Sequence, residues 1–263
     1  MKTGLSTLFL MSHGATGMLS CIERFRECKV WEIIDDGDHA LTQPVIEKLL
    51  EYSSSYGYEY TVHAPYTDIN IASLNPYIRE ASVKAVETSL ENARRLGAKT
   101  VTFHPGFRGA LDIFYPERTT RATHESIRRI MYRARNLGVS VAIENMFPSP
   151  FSALPYSVEE FEEIFSMPEF SDLGFTLDIG HAHTMKQTEL FLKKLGRKSV
   201  VVHLHDNDEV SDLHLGLGEG TVDWMSAIKS LNAQGFRGYI IIESISKVYE
   251  SFLKLNDFIK SQP

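Results

Sequence analysis

The sequence predicts an α/β fold, a closed (β/α)8 TIM barrel, and three observations carry that prediction. Eight short β-rich runs recur along the 263 residues, helical stretches separate them, and six of the runs end in a residue type that binds metals. The runs are Leu5–Leu10, Val30–Ile34, Tyr60–His63, Thr100–His104, Val139–Glu144, Gly174–Asp178, Val200–His205 and Tyr239–Glu243. Each is short, apolar and rich in Val, Ile, Tyr, Thr or Phe, as buried parallel strands are. Between them, Pro44 and Pro76 mark helix starts, where a missing backbone N–H costs nothing. The stretches 76–97 and 117–138 both close on Leu-Gly, a helix stop with glycine just past the C-terminus. "TVDW" at 221–224 opens a further helix, with Trp224 packing it onto the barrel. A doubly wound open sheet would bring a glycine-rich phosphate turn after its first strand, and "LMSHGATG" matches that poorly. No low-complexity linker divides the chain, which reads as one domain over 1–263.

Composition sets the class. At 43% hydrophobic residues the chain can bury a large core. No run of about 18 apolar residues is present, so no membrane span is expected. The N-terminal apolar stretch reads better as a first strand than as a signal peptide. Cys21 and Cys28 stand seven apart in "CIERFRECK", read as a helix, which separates them by about 10 Å, too far for a disulfide. The chain reads as cytoplasmic. A net charge of −7 argues mildly against a polyanionic partner.

The strand ends direct attention to function. Barrels of this kind build their sites at the C-terminal ends of the strands. Here those ends read His63, His104, Glu144, Asp178, His203 and Glu243. One histidine at a strand end is more often a hydrogen-bonded core residue than a ligand, but six such residues at one mouth reverse that expectation. Asp212 and His214 stand two apart in a loop, where both can reach one ion, although His214 also reads as a plain loop histidine. Mixed nitrogen and oxygen donors favour zinc, then manganese, over magnesium.

From "HAPY", "FHPG", "AIEN", "LDIGHAH", "VVHLHDN", "DLHLGLGEG" and "IIES" together, the chain resembles the xylose isomerase-like barrels. That superfamily includes sugar isomerases and epimerases as well as endonuclease IV. The resemblance runs from "VHAPY" at 62–66 to "IIES" at 241–244. It implies that Glu144, Asp178, His203 and Glu243 form a metal site shared with the isomerases. It further implies a second site from His63, His104 and a bridging Glu144, and a third from His181, Asp212 and His214. The expected cofactor is therefore one to three divalent ions, with zinc first and manganese or magnesium as alternatives.

Two chemistries fit. As an isomerase or epimerase, the protein would use Glu144 and Glu243 to move a proton on a metal-bound sugar or sugar phosphate. As an abasic-site endonuclease, it would use clustered ions to make and orient a hydroxide against DNA. A non-catalytic metal-binding barrel is a third, weaker reading, because both flanking glutamates are retained. The loop "IIDDGDHAL" at 33–41 decides the ranking: it carries three aspartates and no Lys or Arg, and would repel a phosphate backbone. Asp68 follows "HAPY" where the nuclease would place an apolar wedge. Tyr66, Arg108 and His181 are the expected substrate contacts, Arg108 serving equally well as a surface residue. Glu32, with Trp31 at the end of the second run, reads chiefly as a structural pair. Arg128, Arg129, Arg133 and Arg135 read as a solvated helix face, and His13 and His183 as ligand-orienting or ordinary loop residues.

Overall fold

Eight parallel strands close on themselves in sequence order, each hydrogen-bonded to its chain neighbour and the last to the first. The computed structural model describes residues 1–148 and 156–262. In chain order the main elements are β1 (Lys2–Ser6), α1 (Gly14–Arg24), β2 (Val30–Ile34), α2 (Gln43–Tyr56), β3 (Glu59–His63), α3 (Pro76–Leu96), β4 (Val101–Phe103), α4 (Pro116–Leu137) and β5 (Val141–Glu144). They continue with α5 (Val158–Ser166), β6 (Gly174–Asp178), α6 (Ile179–Thr184), α7 (Thr188–Leu195), β7 (Ser199–Leu204), α8 (Trp224–Ala233), β8 (Tyr239–Ile242) and α9 (Val248–Ser261). The expected barrel is thus present. Among the described residues, no helix is long and apolar enough to cross a membrane.

The helix signals act as read. Gly97 and Gly138 cap α3 and α4 in the left-handed conformation, at φ of 73° and 65°, where a side chain would be strained. Asp223 caps α8 by accepting the Ser226 N–H at 3.1 Å, and Trp224 packs edge-on against Phe258. The arginine face of α4 is ion-paired as well as solvated: Arg129 reaches Glu80 and Glu87, Arg133 reaches Glu91, and Arg135 reaches Asp172.

Three local expectations need correction. The first strand is Lys2–Ser6 rather than Leu5–Leu10, because the Ser6 hydroxyl accepts the Leu8 N–H and turns the chain into a 3-10 helix at Thr7–His13. The helix carrying Cys21 ends at Arg24, since Phe25 leaves it to pack on Trp31 and Tyr249, so Cys28 lies outside. Both cysteines are free, as expected, but Cys28 is held by donating to the Val30 carbonyl at 3.0 Å rather than by helical spacing. Glu32 sits in the middle of β2 and is fully buried inside the barrel.

The barrel interior is layered along the strand direction. Val30, Val201 and Ile241 plug the bottom, and a Cβ on Gly4 would stand 2.6 Å from the Val30 carbonyl oxygen, so the plug fits only against glycine. Above them the layer turns polar: Thr61 donates to Glu32 at 3.1 Å, and the Thr102 and Thr176 hydroxyls meet at 2.9 Å. The top layer holds the histidines and carboxylates. Outside, Phe161, Phe165, Phe175 and Phe191 pack between the strands and helices. This outer shell, not the barrel interior, is the hydrophobic core.

Candidate metal centre

Period-two alternation delivers the site. Residues two apart on a strand share a face, so the inward positions of each strand climb from the plug to the mouth. His63, Glu144 and Asp178 are the last residues of β3, β5 and β6, while His104 and Glu243 follow β4 and β8 by one residue. His203 lies one residue inside the end of β7. All six converge on the mouth, as expected. His181 reaches it from the first turn of α6, where Asp178 accepts the His181 N–H at 2.6 Å. Asp212 and His214 descend from the loop between β7 and α8, which an antiparallel bridge of Asp206 with Leu215 folds back on itself.

These side chains form three interlocking groups. Glu144, Asp178, His203 and Glu243 make one, His63, His104 and Glu144 a second, and His181, His205, Asp212 and His214 a third. Within each group, one potential ligand atom per residue lies within 4.8 Å of every other. Glu144 joins the first two: its Oε1 stands 2.9 Å from His203 Nδ1, and its Oε2 stands 3.2 Å from His63 Nε2 and 3.3 Å from His104 Nε2.

The donor set fits divalent ions on two counts. Three ring nitrogens are tied to backbone carbonyls: His63 Nδ1 to Ala64 at 2.8 Å, His181 Nδ1 to Asn145 at 2.8 Å, and His214 Nδ1 to Glu243 at 2.7 Å. With Nδ1–H donating, each Nε2 offers its lone pair to the cluster, which is how ligating histidines are oriented. His203 is turned the other way round, its Nε2 standing 2.8 Å from the buried Glu32 carboxylate in an ion-pair contact without hydrogen-bond geometry, and its Nδ1 turned to the cluster. Secondly, Asp178 Oδ2, His104 Nδ1, Asp212 Oδ1 and both ring nitrogens of His205 are buried without a hydrogen-bond partner. Such atoms are rare in native proteins, because each costs about 1–3 kcal/mol.

The electrostatics match. Burial disfavours charge on every one of these groups, yet neighbouring carboxylates hold His181 and His203 well above the usual imidazole range. Asp212 and Glu144 are correspondingly held well below the carboxylate range by the histidines beside them, against the same burial. Glu243 goes the other way, its proton affinity raised by burial.

Above the groups lies a cavity of about 240 Å³, lined by His63, His104, Glu144, His181, Asp212, His214, Glu243 and Tyr66 with an apolar rim of Leu8, Phe107, Met146 and Phe147. Tyr66 lies edge-on to His63, at 5.3 Å between rings. Arg108 is not brought to this cavity: it pairs with Glu160 and lies over the Tyr156 ring at 4.5 Å. His183 bonds Thr221 away from the ligands. In the acidic loop, Asp35 accepts the Leu41 N–H and Asp36 accepts the Gly37, Tyr66 and Thr67 N–H groups. Those two aspartates therefore brace the walls of the mouth, and backbone N–H donors keep the Asp36 carboxyl below its ordinary range despite burial.

One member of the site escaped the sequence reading. His205 is fully buried and joins the third group. Its signal was the spacing His203-x-His205, which puts both rings on the same face of β7 and its continuation.

The family model for xylose isomerase-like TIM barrels matches residues 19–257. The chain belongs to this family. An uncharacterised protein of Methanocaldococcus jannaschii is 32% identical over 93% of this chain and 84% of its own length. A crystal structure described as a D-tagatose 3-epimerase-like protein is 30% identical, with a TM-score of 0.91 over 99% of this chain and 97% of its own. The structure of the IolI protein, solved with a zinc atom, has 17% identity and a TM-score of 0.79 over 98% of this chain and 96% of its own.

Proposed function

We propose that this protein is a divalent-metal-dependent isomerase or epimerase of a small, unphosphorylated sugar. The observation that carries the reading is the cavity lining: carboxylates and imidazoles at the floor, an apolar rim, and no Lys or Arg among the described lining residues. A phosphate group would find no Lys or Arg among those residues to pair with. The likeness to a D-tagatose 3-epimerase-like structure at 30% identity supports the same substrate class.

Glu144, Asp178, His203 and Glu243 would hold the ion, zinc or manganese by donor type. When bound, the ion polarises the carbonyl and hydroxyl oxygens of the sugar, acidifying the carbon between them. Proton transfer falls to Glu144 and Glu243. Glu243, whose burial raises its affinity for a proton, is the acceptor. Glu144, which faces His63, His104 and His203, is the partner that returns a proton to the sugar carbon. His181 and Tyr66 flank the bound sugar, and Phe107, Met146 and Phe147 give it an apolar rim.

A second reading keeps a specific observation in its favour. The three ligand groups coexist at one mouth, as a metal-dependent abasic-site endonuclease would need. Two measurements on the zinc- or manganese-loaded protein separate the readings. One is exchange of the hydrogen beside the carbonyl with solvent deuterium across a panel of unphosphorylated sugars, and the other is nicking of an abasic duplex. Exchange without nicking is expected, and Glu243→Gln should slow it by about 10²–10⁴-fold. Metal-dependent nicking with no exchange on any sugar overturns the proposal in favour of the nuclease.

A further inference from the structure

We propose that His205 is the fourth ligand of a closed zinc site completed by His181, Asp212 and His214, and that this ion is a structural staple which takes no substrate. The inference shares with the proposed function only the binding of divalent metal at the mouth, not the reaction.

The geometry is that of a four-sided cage. His181 Nε2 stands 3.4 Å and His214 Nε2 stands 3.0 Å from Asp212 Oδ2, while His205 Nε2 stands 3.6 Å from Asp212 Oδ1. The His205 and His214 rings stack with centroids 4.0 Å apart and 21° between planes. His181 and His214 have Nδ1 tied to backbone carbonyls, which leaves Nε2 of each for the ion. His205 approaches from below, with no surface exposed and neither ring nitrogen bonded, facing an Asp212 Oδ1 that is equally without a partner. Gly180 makes room for that ring: a Cβ there would stand 2.1 Å from His205 Cε1. Three nitrogens and one carboxylate oxygen are a complete tetrahedral set for zinc, and sites filled by four protein ligands are structural, whereas catalytic ones keep a position open.

What such an ion would secure is the loop after β7. Asp212 and His214 belong to that loop, whereas His181 belongs to α6 and His205 to the end of the barrel wall. Zinc would therefore pin the loop, one wall of the cavity, to the barrel, and leave metal ligation of the substrate to the Glu144-linked groups.

His205 Nε2 also lies 3.3 Å from Asp178 Oδ1, so the competing role is to position Asp178 for the neighbouring ion. The experiment separates the two. Chelator-stripped protein is titrated with Zn²⁺ and with Co²⁺, reading stoichiometry, affinity and the visible cobalt spectrum, with circular dichroism reporting the fold. In the wild type a tight ion with the intense bands of tetrahedral cobalt is expected. His205→Asn and Asp212→Asn should each weaken that ion by at least about 100-fold, more than the loss of an outer hydrogen-bond partner costs. The ion held by Glu144, Asp178, His203 and Glu243 should remain in both. Backbone amides of 208–214 should exchange more slowly once zinc is bound. Unchanged affinity and cobalt bands in His205→Asn, or loss of the Glu144-linked ion instead, overturns the assignment. If either variant does not fold, ¹⁵N-histidine spectra of the wild type decide: zinc must shift the ring nitrogens of His205 together with those of His181 and His214. Binding at the Glu144-linked groups alone sinks only this inference, whereas binding of no ion at all sinks the metal dependence of the proposed function as well.

Discussion

Gly180→Ala sets two physical expectations against each other. Gly180 lies in α6, where replacing glycine by alanine ordinarily favours the helix by up to about 1 kcal/mol. Packing reverses the sign. The new methyl carbon would stand 2.1 Å from His205 Cε1 and 2.4 Å from Nε2, contacts that real side chains do not make, so something must move by about 1 Å or more. His205 cannot simply retreat: it has no exposed surface and is stacked on His214. Overpacking of this kind costs typically about 1–3 kcal/mol, occasionally more, against which the helix gain offsets only part. With the helix gain of up to about 1 kcal/mol subtracted, and each kcal/mol shifting Tm by about 2 °C in a chain of this length, a fall of up to roughly 6 °C is expected by calorimetry of the metal-free protein. The ring that moves also carries a ligand nitrogen, and zinc retained after dialysis should fall with it. A Tm equal to or above that of the wild type, with undiminished zinc content, would refute the packing argument.

Three further outcomes follow from individual contacts. Glu32→Gln removes the buried charge facing His203 Nε2 at 2.8 Å, and metal affinity by calorimetric titration should fall by about 10–100-fold, while an unchanged affinity would deny Glu32 its orienting role. His214 is raised to about 9, where bonding to Asp212 outweighs burial, so in metal-free protein this pair contributes stability that is complete below about pH 6.5 and lost as pH rises through 9. Metal-free Tm should decline over that window, whereas zinc-loaded protein should not, because ligation requires the neutral ring; parallel profiles would contradict the pairing. Burial pushes the Cys28 thiol up to about 12, so at pH 8 a thiol reagent should label the half-buried Cys21 first and Cys28 only on unfolding. Equal labelling rates would show the segment before β2 to be open.

The eightfold alternation of apolar runs and helices determined the barrel, because parallel strands covered by helices leave short, largely apolar runs that the order of residues along the chain reveals. Pro76, Gly97 and Gly138 marked helix limits for an equally local reason, the φ angles that those residues permit. The mouth was legible because one topology rule sends every strand end to the same place, so His63, Glu144 and Asp178 needed no knowledge of distance. Contacts between residues far apart in sequence were another matter. That Arg108 turns to Glu160 depends on where α5 packs. Asp35 and Asp36, read as a repelling surface, spend their oxygens on backbone N–H groups brought near by the β2 and β3 loops. The role of His205 rests on a glycine 25 residues earlier whose missing Cβ makes room for the ring. Local conformation is written in neighbouring residues, whereas the partner of a buried polar atom is chosen by packing across the whole barrel, and only the tertiary structure holds that choice.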